Sequence, residues 1–507
     1  MAPQVPCIER REVPGCRSVW RATVAHVSTP PPGMFVVMLT RLEVNGFKNL
    51  LNFSADFGPY TCIAGPNAVG KSNIFDSVEF LSLLATMSFV EAAQELRAAG
   101  QKSGDPGSLF WRDSSGEYSD MTLAAEMLVP PTIEDDFGRI TKPTTTFLRY
   151  EITLRYILPS DEAFARFGRI ALRSESLTHI KKSDAPQRLQ WPHRANVFRN
   201  SVVLGRRSGI AYISTRVDDA ANVVVEVHQD GPSRGRPRPS PADRAPRTIV
   251  ATTTTSDDPT ILAARREMQS WRKVALEPSA MRTPDEMTDP ANVASNGAHL
   301  AAALYRLAIE QGEDVYARIA TRASSLVDVH KVGVDVDLQR DLLTLEAQIG
   351  SGPMLPARAL SDGTLRFIAL CILLQDPSFH GVMCMEEPEN GIHPAKMEAM
   401  VELLRDLAVN PNEAPSQSNP LRQVLVNTHS PFLVVLQSDA ELLVARSVSV
   451  KRPDGSIART VRLLPMPGGW RKDTPFKGGK QSIIDYLNFP DDAPQLVNTP
   501  ASRGFEF

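Results

Sequence analysis

Cysteine is scarce in this 507-residue chain: the five residues Cys7, Cys16, Cys62, Cys371 and Cys384 form no CxxC pair and no metal-ligand spacing. An odd number argues against a complete disulfide framework, and a reducing cytoplasm fits best. No stretch approaches the roughly 18 apolar residues needed to cross a bilayer. The opening residues carry no continuous apolar run after their charges, so a soluble, unsecreted protein without membrane contact is expected. An excess of one charge is missing too, with 55 Lys and Arg against 58 Asp and Glu. Any nucleic-acid contact must therefore come from a local patch. No heptad pattern is sustained, which excludes coiled-coil arms, and no internal repeat is found.

What is present reads as an α/β protein. Hydrophobic residues at 42% and charged residues at 22% are ordinary for a globular chain. The length suits two to four domains, or one large core carrying an insertion. Residues 1–36 lack apolar periodicity and are expected to be a flexible N-terminal extension or the product of a misassigned start. Order is expected from the alternating stretch Met38–Phe47 onward. Thr145–Leu158, Arg169–Leu177, Ile210–Thr215 and Asn222–His228 are rich in Val, Ile and Thr and predict strands. Gly231–Arg247, made of Pro, Arg, Ser and Gly, predicts a solvated loop. Ala298–Ile309 and Asp314–Leu326 predict helices. Beyond them helix and strand alternate again, with strands at Val382–Met385 and Gln423–Asn427.

Four segments carry chemistry. Gly65-Pro66-Asn67-Ala68-Val69-Gly70-Lys71-Ser72 fits GxxxxGK[ST] and lies between the apolar strand Tyr60–Ala64 and a helical stretch, where a phosphate loop must lie. Its glycines let backbone amides wrap phosphate oxygens, Lys71 would reach the β- and γ-phosphates, and Ser72 would hold Mg²⁺. Val382–Met385 delivers Glu386 and Glu387 at a strand end, where ligands of open α/β sheets bind. Glu386 would act through the metal and Glu387 would polarise the attacking water. Paired acids after a strand are also what a solvated strand end looks like. Leu360-Ser361-Asp362-Gly363-Thr364 precedes a helix, an anion-attracting position that an ordinary cap would also explain. Thr428-His429-Ser430-Pro431 ends a strand on a histidine, which alone says little.

In this order the four segments resemble the ABC-type ATPases, specifically the RecF/OLD/SMC-like group and its stand-alone AAA-type members. The resemblance implies a P-loop NTPase fold, an ABC-type ATPase head with a strand-rich and helical insertion between the Walker A loop and the signature motif. It divides the chain into an N-terminal lobe at 37–158, an insertion at 159–354 and a C-terminal lobe at 355–507. It implies ATP and Mg²⁺ as cofactors and a homodimer that sandwiches ATP, with Ser361 and Gly363 touching the γ-phosphate of the partner's site. His429 resembles the switch histidine, and Glu387, His429 and Lys71 become the catalytic set. Glu389-Asn390-Gly391-Ile392-His393-Pro394 resembles the interface segment that follows the paired acids. The metal acid is Glu386 here where Asp is usual, and the glutamine loop has only Gln94 and Gln101 as candidates. Lys71 and Ser361 stand 290 positions apart, more than a transporter motor has. No Asp-x-Asp pair follows His429, so a fused TOPRIM nuclease is not expected.

Arg166–Arg207 is a basic island that includes Arg169, Arg173, Lys181, Lys182, Arg188 and Arg194, interleaved with Trp191, His193 and Phe198. It suits a nucleic-acid backbone with occasional base stacking, a solvated sheet face, or an acidic partner. The expected function is an ATP-hydrolysing enzyme acting in DNA repair or anti-phage defence with a separately encoded effector. The alternative is a nucleotide-controlled scaffold that binds a protein partner.

Overall fold

The computed structural model describes residues 38–490, apart from 97–104, 114, 160–167, 206, 208–210, 232–234, 417 and 452–455, together with the backbone of 495–497. The expected N-terminal extension lies outside the described residues, as do Arg166 and Arg206 of the basic island.

The chain opens with β1 (Met38–Asn45), β2 (Phe53–Asp56) and β3 (Tyr60–Ala64), followed by α1 (Lys71–Leu84). Long strands β4 (Met121–Leu128), β5 (Phe147–Ile157) and β6 (Arg169–His179) come next, then β7 (Ile213–Val217), β8 (Val223–Val227) and β9 (Arg238–Pro241). After α2 (Pro259–Gln269) and β10 (Arg272–Val274), helices α3 (Leu300–Gln311) and α4 (Asp314–Ser324) lead to the hairpin of β11 (Val329–Asp337) and β12 (Leu342–Ile349). The last third alternates: α5 (Asp362–Gln375), β13 (Gly381–Glu386), α6 (Met397–Leu407), β14 (Arg422–Thr428), α7 (Pro431–Leu436), β15 (Leu442–Lys451), β16 (Ile457–Pro465) and α8 (Lys480–Asn488).

The central sheet runs β10-β13-β14-β3-β15-β16, with every pair parallel except the last. Every residue of β14 is buried, as expected of a sheet covered on both faces. On one face Ile63, Cys384, Leu425 and Ala445 join α1, α2 and the antiparallel sheet β9-β8-β7-β6-β5-β4-β1-β2 in one core. On the other face Cys62, Met385, Val426 and Val444 pack with α3 to α8. A buried amide ties the two sheets: Gln423 donates to the Leu39 and Gly58 carbonyls at 2.8 and 2.9 Å and accepts from the Leu39 N–H at 2.9 Å. Removing it would strand buried backbone groups at a cost of about 1–3 kcal/mol.

The strand-rich and helical stretch expected between Lys71 and Ser361 is present, but it is not a body apart. The boundary placed between 158 and 159 falls inside the β5–β6 hairpin, whose strands pair from Ile157 opposite Arg169 to Leu148 opposite His179. Strands β6 to β9 thus extend the sheet of the first lobe. Residues 259–274 return to the core, because β10 pairs in parallel with β13. A further small sheet forms from β11, β12, Asp285–Glu286 and Met354–Pro356. The solvated loop expected at 231–247 also needs correction, since Arg238–Pro241 pairs antiparallel with β8. Pro239 and Pro241 are tolerated there because β9 is an edge strand, where a missing N–H breaks no ladder on the outer side.

Candidate nucleotide site

Strands β13, β14 and β3 lie side by side, and their carboxyl ends come out together: Glu386 sits opposite Asn427, and Thr428 opposite Ala64. Topology alone therefore gathers Glu386 and Glu387, His429 and the 65–72 loop at one edge of the sheet. Sequence separations of more than 300 positions disappear in this register.

Within the loop, Ala68 and Gly70 take left-handed backbone angles, φ 63° and 108°, a region that favours glycine. A Cβ on Gly70 would lie 2.4 Å from Asn49 Nδ2, and one on Gly65 would lie 2.9 Å from the Ala445 Cβ. Close approach therefore requires glycine at 65, and the left-handed angle favours it at 70. Val69 is buried and anchors the loop, while Asn67 and Ala68 are exposed and Pro66 is partly so. Helix α1 begins directly after Gly70, so the free N–H groups of its first turn sit at the end of the loop and favour an anion. Lys71 donates to the Gly65 and Pro66 carbonyls at 2.6 and 2.8 Å. Burial holds its ammonium below the ordinary lysine range, against the pull of Glu387, Glu389 and Glu386. Ser72, one residue on, is exposed.

Glu387 sits at φ 45°, an uncommon angle for a side chain with a Cβ and one that clusters at functional sites. The turn is held by its N–H, which donates to both the carbonyl and the side-chain oxygen of Asn427 at 3.1 Å. One carboxylate oxygen is 2.7 Å from His429 Nδ1, and the other accepts from Asn390 at 2.9 Å. Burial opposes ionisation of Glu387, but the Asn390 and His429 hydrogen bonds and the charges of His429 and Lys71 outweigh it and hold the carboxyl below its usual range. An ionised carboxylate paired with an imidazole suits water polarisation. Behind it, Thr428 donates to buried Glu389, and the Ser430 N–H donates to the Thr428 hydroxyl at 2.9 Å. Glu389 thus fixes the backbone that presents His429, while burial holds its own carboxyl above the usual range.

Glu386 has Oε2 3.5 Å from Lys273 Nζ. Its Oε1 is buried and takes no hydrogen bond. An unspent buried carboxylate oxygen, with the Ser72 hydroxyl at the start of α1, fits the hard oxygen donors that Mg²⁺ uses. Lys273 also donates to Asp76 at 2.8 Å. Burial weakens the Lys273 charge, but Asp76, Glu386 and Glu79 more than offset it and raise its pKa.

Ser361 is the N-cap of α5 and accepts from the Thr364 N–H at 3.2 Å. Among the described residues its hydroxyl bonds with Thr364 alone, and it remains exposed. A Cβ on Gly363 would lie 3.3 Å from the Gly391 carbonyl, so the first turn of α5 packs on the segment that follows Glu387. Of the glutamine-loop candidates, Gln94 is exposed on the Phe89–Glu95 helix and Gln101 lies outside the described residues. The stacking expected in the basic island is corrected: Trp191 and Phe198 are only 3% and 0% exposed and pack in a core with Phe147 and Leu189. Arg188 pairs with Glu126, whereas Arg169, Arg173, Lys181, Lys182 and Arg194 are exposed.

Sequence reasoning missed Lys273, Asp76, Asn49 and the positioning part of Glu389. Asp76 had a signal, since it stands four residues after Ser72 and so on the same face of α1. Lys273 had none, because its place depends on β10 lying beside β13.

Residues 250–435 match a family model described as "AAA domain, putative AbiEii toxin, Type IV TA system". No curated protein matches the chain. Among solved structures, an SmcHead bound to the C-winged helix domain of ScpA is 13% identical, with 84% of this chain and 98% of that one covered and a TM-score of 0.44. An Smc head with an extended coiled coil bound to the C-terminal domain of ScpA, from Pyrococcus furiosus, is 12% identical at 84% and 96% coverage, with a TM-score of 0.41. The SMC head domain from Thermotoga maritima is 11% identical at 84% and 98% coverage, with a TM-score of 0.35. The AAA match spans Ser361, Glu386, Glu387 and His429, so residues 250–435 are similar to an AAA domain, and the 65–72 loop, which lies outside the match, joins a strand of the same parallel sheet to a helix as in a P-loop fold.

Proposed function

We propose that the chain binds ATP with Mg²⁺ at residues 65–72 and hydrolyses it when two copies close face to face. The observation that carries this reading is the Glu387, His429 and Asn390 cluster, set at the sheet edge shared with Lys71. Lys71 and the loop amides would hold the triphosphate, and Ser72 and Glu386 would hold Mg²⁺, which supplies charge neutralisation of the phosphates. Glu387 would orient and polarise the attacking water, and His429, hydrogen-bonded to it, would sense the γ-phosphate. Ser361 and Gly363 of the second copy would close the site, consistent with an exposed Ser361 hydroxyl.

The function served is an ATP-driven step in anti-phage defence or DNA repair, in the cytoplasm and with a separately encoded effector. The matched family's description, a putative AbiEii toxin of a type IV TA system, favours defence. The exposed cations Arg169, Arg173, Lys181 and Lys182 leave a backbone-type nucleic-acid contact open without base stacking. A scaffold that turns over slowly is the competing reading. In a test by light scattering with ATP and Mg²⁺, Glu387→Gln should elute as a stable dimer that retains ATP while turnover falls about 100-fold or more. Normal turnover by this variant would remove Glu387 from its role.

A further inference from the structure

Glu386 has a resident cation beside it. Lys273 on β10 lies opposite Cys384, two positions before Glu386 on β13, and its ammonium reaches Glu386 Oε2 at 3.5 Å. The same ammonium holds Asp76 Oδ1 at 2.8 Å, and the other Asp76 oxygen takes Lys48 Nζ at 2.6 Å. Lys273 is also close enough to feel the charge of Glu79. Two lysines therefore stand against Asp76, Glu79 and Glu386, all partly or well buried. Oxygen-rich acidic clusters of this kind attract divalent cations, and each ammonium nearby subtracts from that attraction.

We infer that Lys273 is a positioning residue and built-in counter-cation for Glu386. It holds one carboxylate oxygen, leaves Oε1 free for a divalent cation, and keeps that cation weakly bound until a nucleotide adds its own oxygens. This rests on Glu386 being a cation ligand. Two effects of removing Lys273 oppose one another. Glu386 loses an orienting contact, which frees a single side chain, but the repulsion of a doubly charged ion by an adjacent ammonium also vanishes. The second effect is larger, because it scales with the product of the charges between groups that are partly buried.

The test is a titration of the nucleotide-free, full-length protein with Mn²⁺, reading free Mn²⁺ by electron paramagnetic resonance. Lys273→Met should bind Mn²⁺ about tenfold more tightly than wild type. Lys273→Arg, which keeps the charge, should stay within about twofold. Should the methionine variant not fold, Lys273→Gln carries the same expectation. Mn²⁺ binding by a folded, charge-neutral variant that equals or falls below wild type overturns the inference. So does tight binding that persists in Lys273→Met/Glu386→Gln, because the cation would then sit elsewhere. The cation role of Glu386 is tested separately, by the Mg²⁺ concentration needed for binding of a fluorescent ATP analogue. If Glu386→Gln leaves that requirement unchanged, the ligand role of Glu386 falls. If Glu386→Gln raises it while Lys273→Met leaves Mn²⁺ affinity untouched, only the role of Lys273 falls.

Discussion

The two halves of the proposed nucleotide site are built in opposite ways. The 65–72 loop is finished inside its own chain: Lys71 is buried, Gly70 is pressed on Asn49 and Gly65 on Ala445, and the carboxylates stand along the same sheet edge. Ser361 is exposed, and its hydroxyl meets only Thr364 among the described residues. One half is packed into its own chain, whereas the other turns a hydroxyl and a helix N-terminus to solvent. Such a division fits a site whose binding step needs one copy and whose catalytic step needs two, since binding and turnover then draw on different residues.

Three variants sharpen the contrast. The largest effect is expected from Lys71→Ala, which removes the cation proposed to hold the phosphates and should weaken ATP affinity about 100-fold or more in a fluorescent-nucleotide titration. Affinity within a few-fold of wild type would break the contrast at its packed half. Ser361→Arg should act on the other half only. Turnover should fall about 100-fold while ATP affinity of the single copy changes by less than about threefold. A parallel loss of affinity would mean that Ser361 serves its own chain's nucleotide. The smallest effect on the engine belongs to charge reversal at Arg169, Arg173, Lys181 and Lys182. It should leave basal turnover within about twofold of wild type and remove only stimulation by duplex DNA. Wild type that shows no stimulation would favour the scaffold reading.

Much of the site is legible in the amino-acid sequence. The glycine loop is recognisable because the pattern sits between an apolar strand and a helix, and β3 and α1 are found there. The strand ending in Glu386 and the strand ending in Thr428 are equally plain, being short apolar runs. The lateral order of the strands is hidden. Lys273 and Glu386 meet only because β10 pairs with β13 across more than a hundred positions, and nothing local in Arg272–Val274 announces that. Asn390 belongs to the recognisable segment after the paired acids, but its hold on Glu387 follows from the left-handed turn at Glu387. Trp191 and Phe198 mislead for a related reason: composition shows aromatic residues among arginines, and only the fold shows that they face the Phe147 core. Prolines likewise hide β9, because an edge strand bears them where an inner strand would not.

The most direct measurement mixes two inactive proteins. Lys71→Ala lacks a working loop but keeps its serine, and Ser361→Arg lacks the serine but keeps its loop. If each site is shared between copies, a mixed dimer contains one intact site, and an equimolar mixture should regain about a quarter of wild-type turnover per copy through random pairing. Turnover that stays at the level of the separate variants, with mixed dimers shown to form, would contradict a site completed by the second copy.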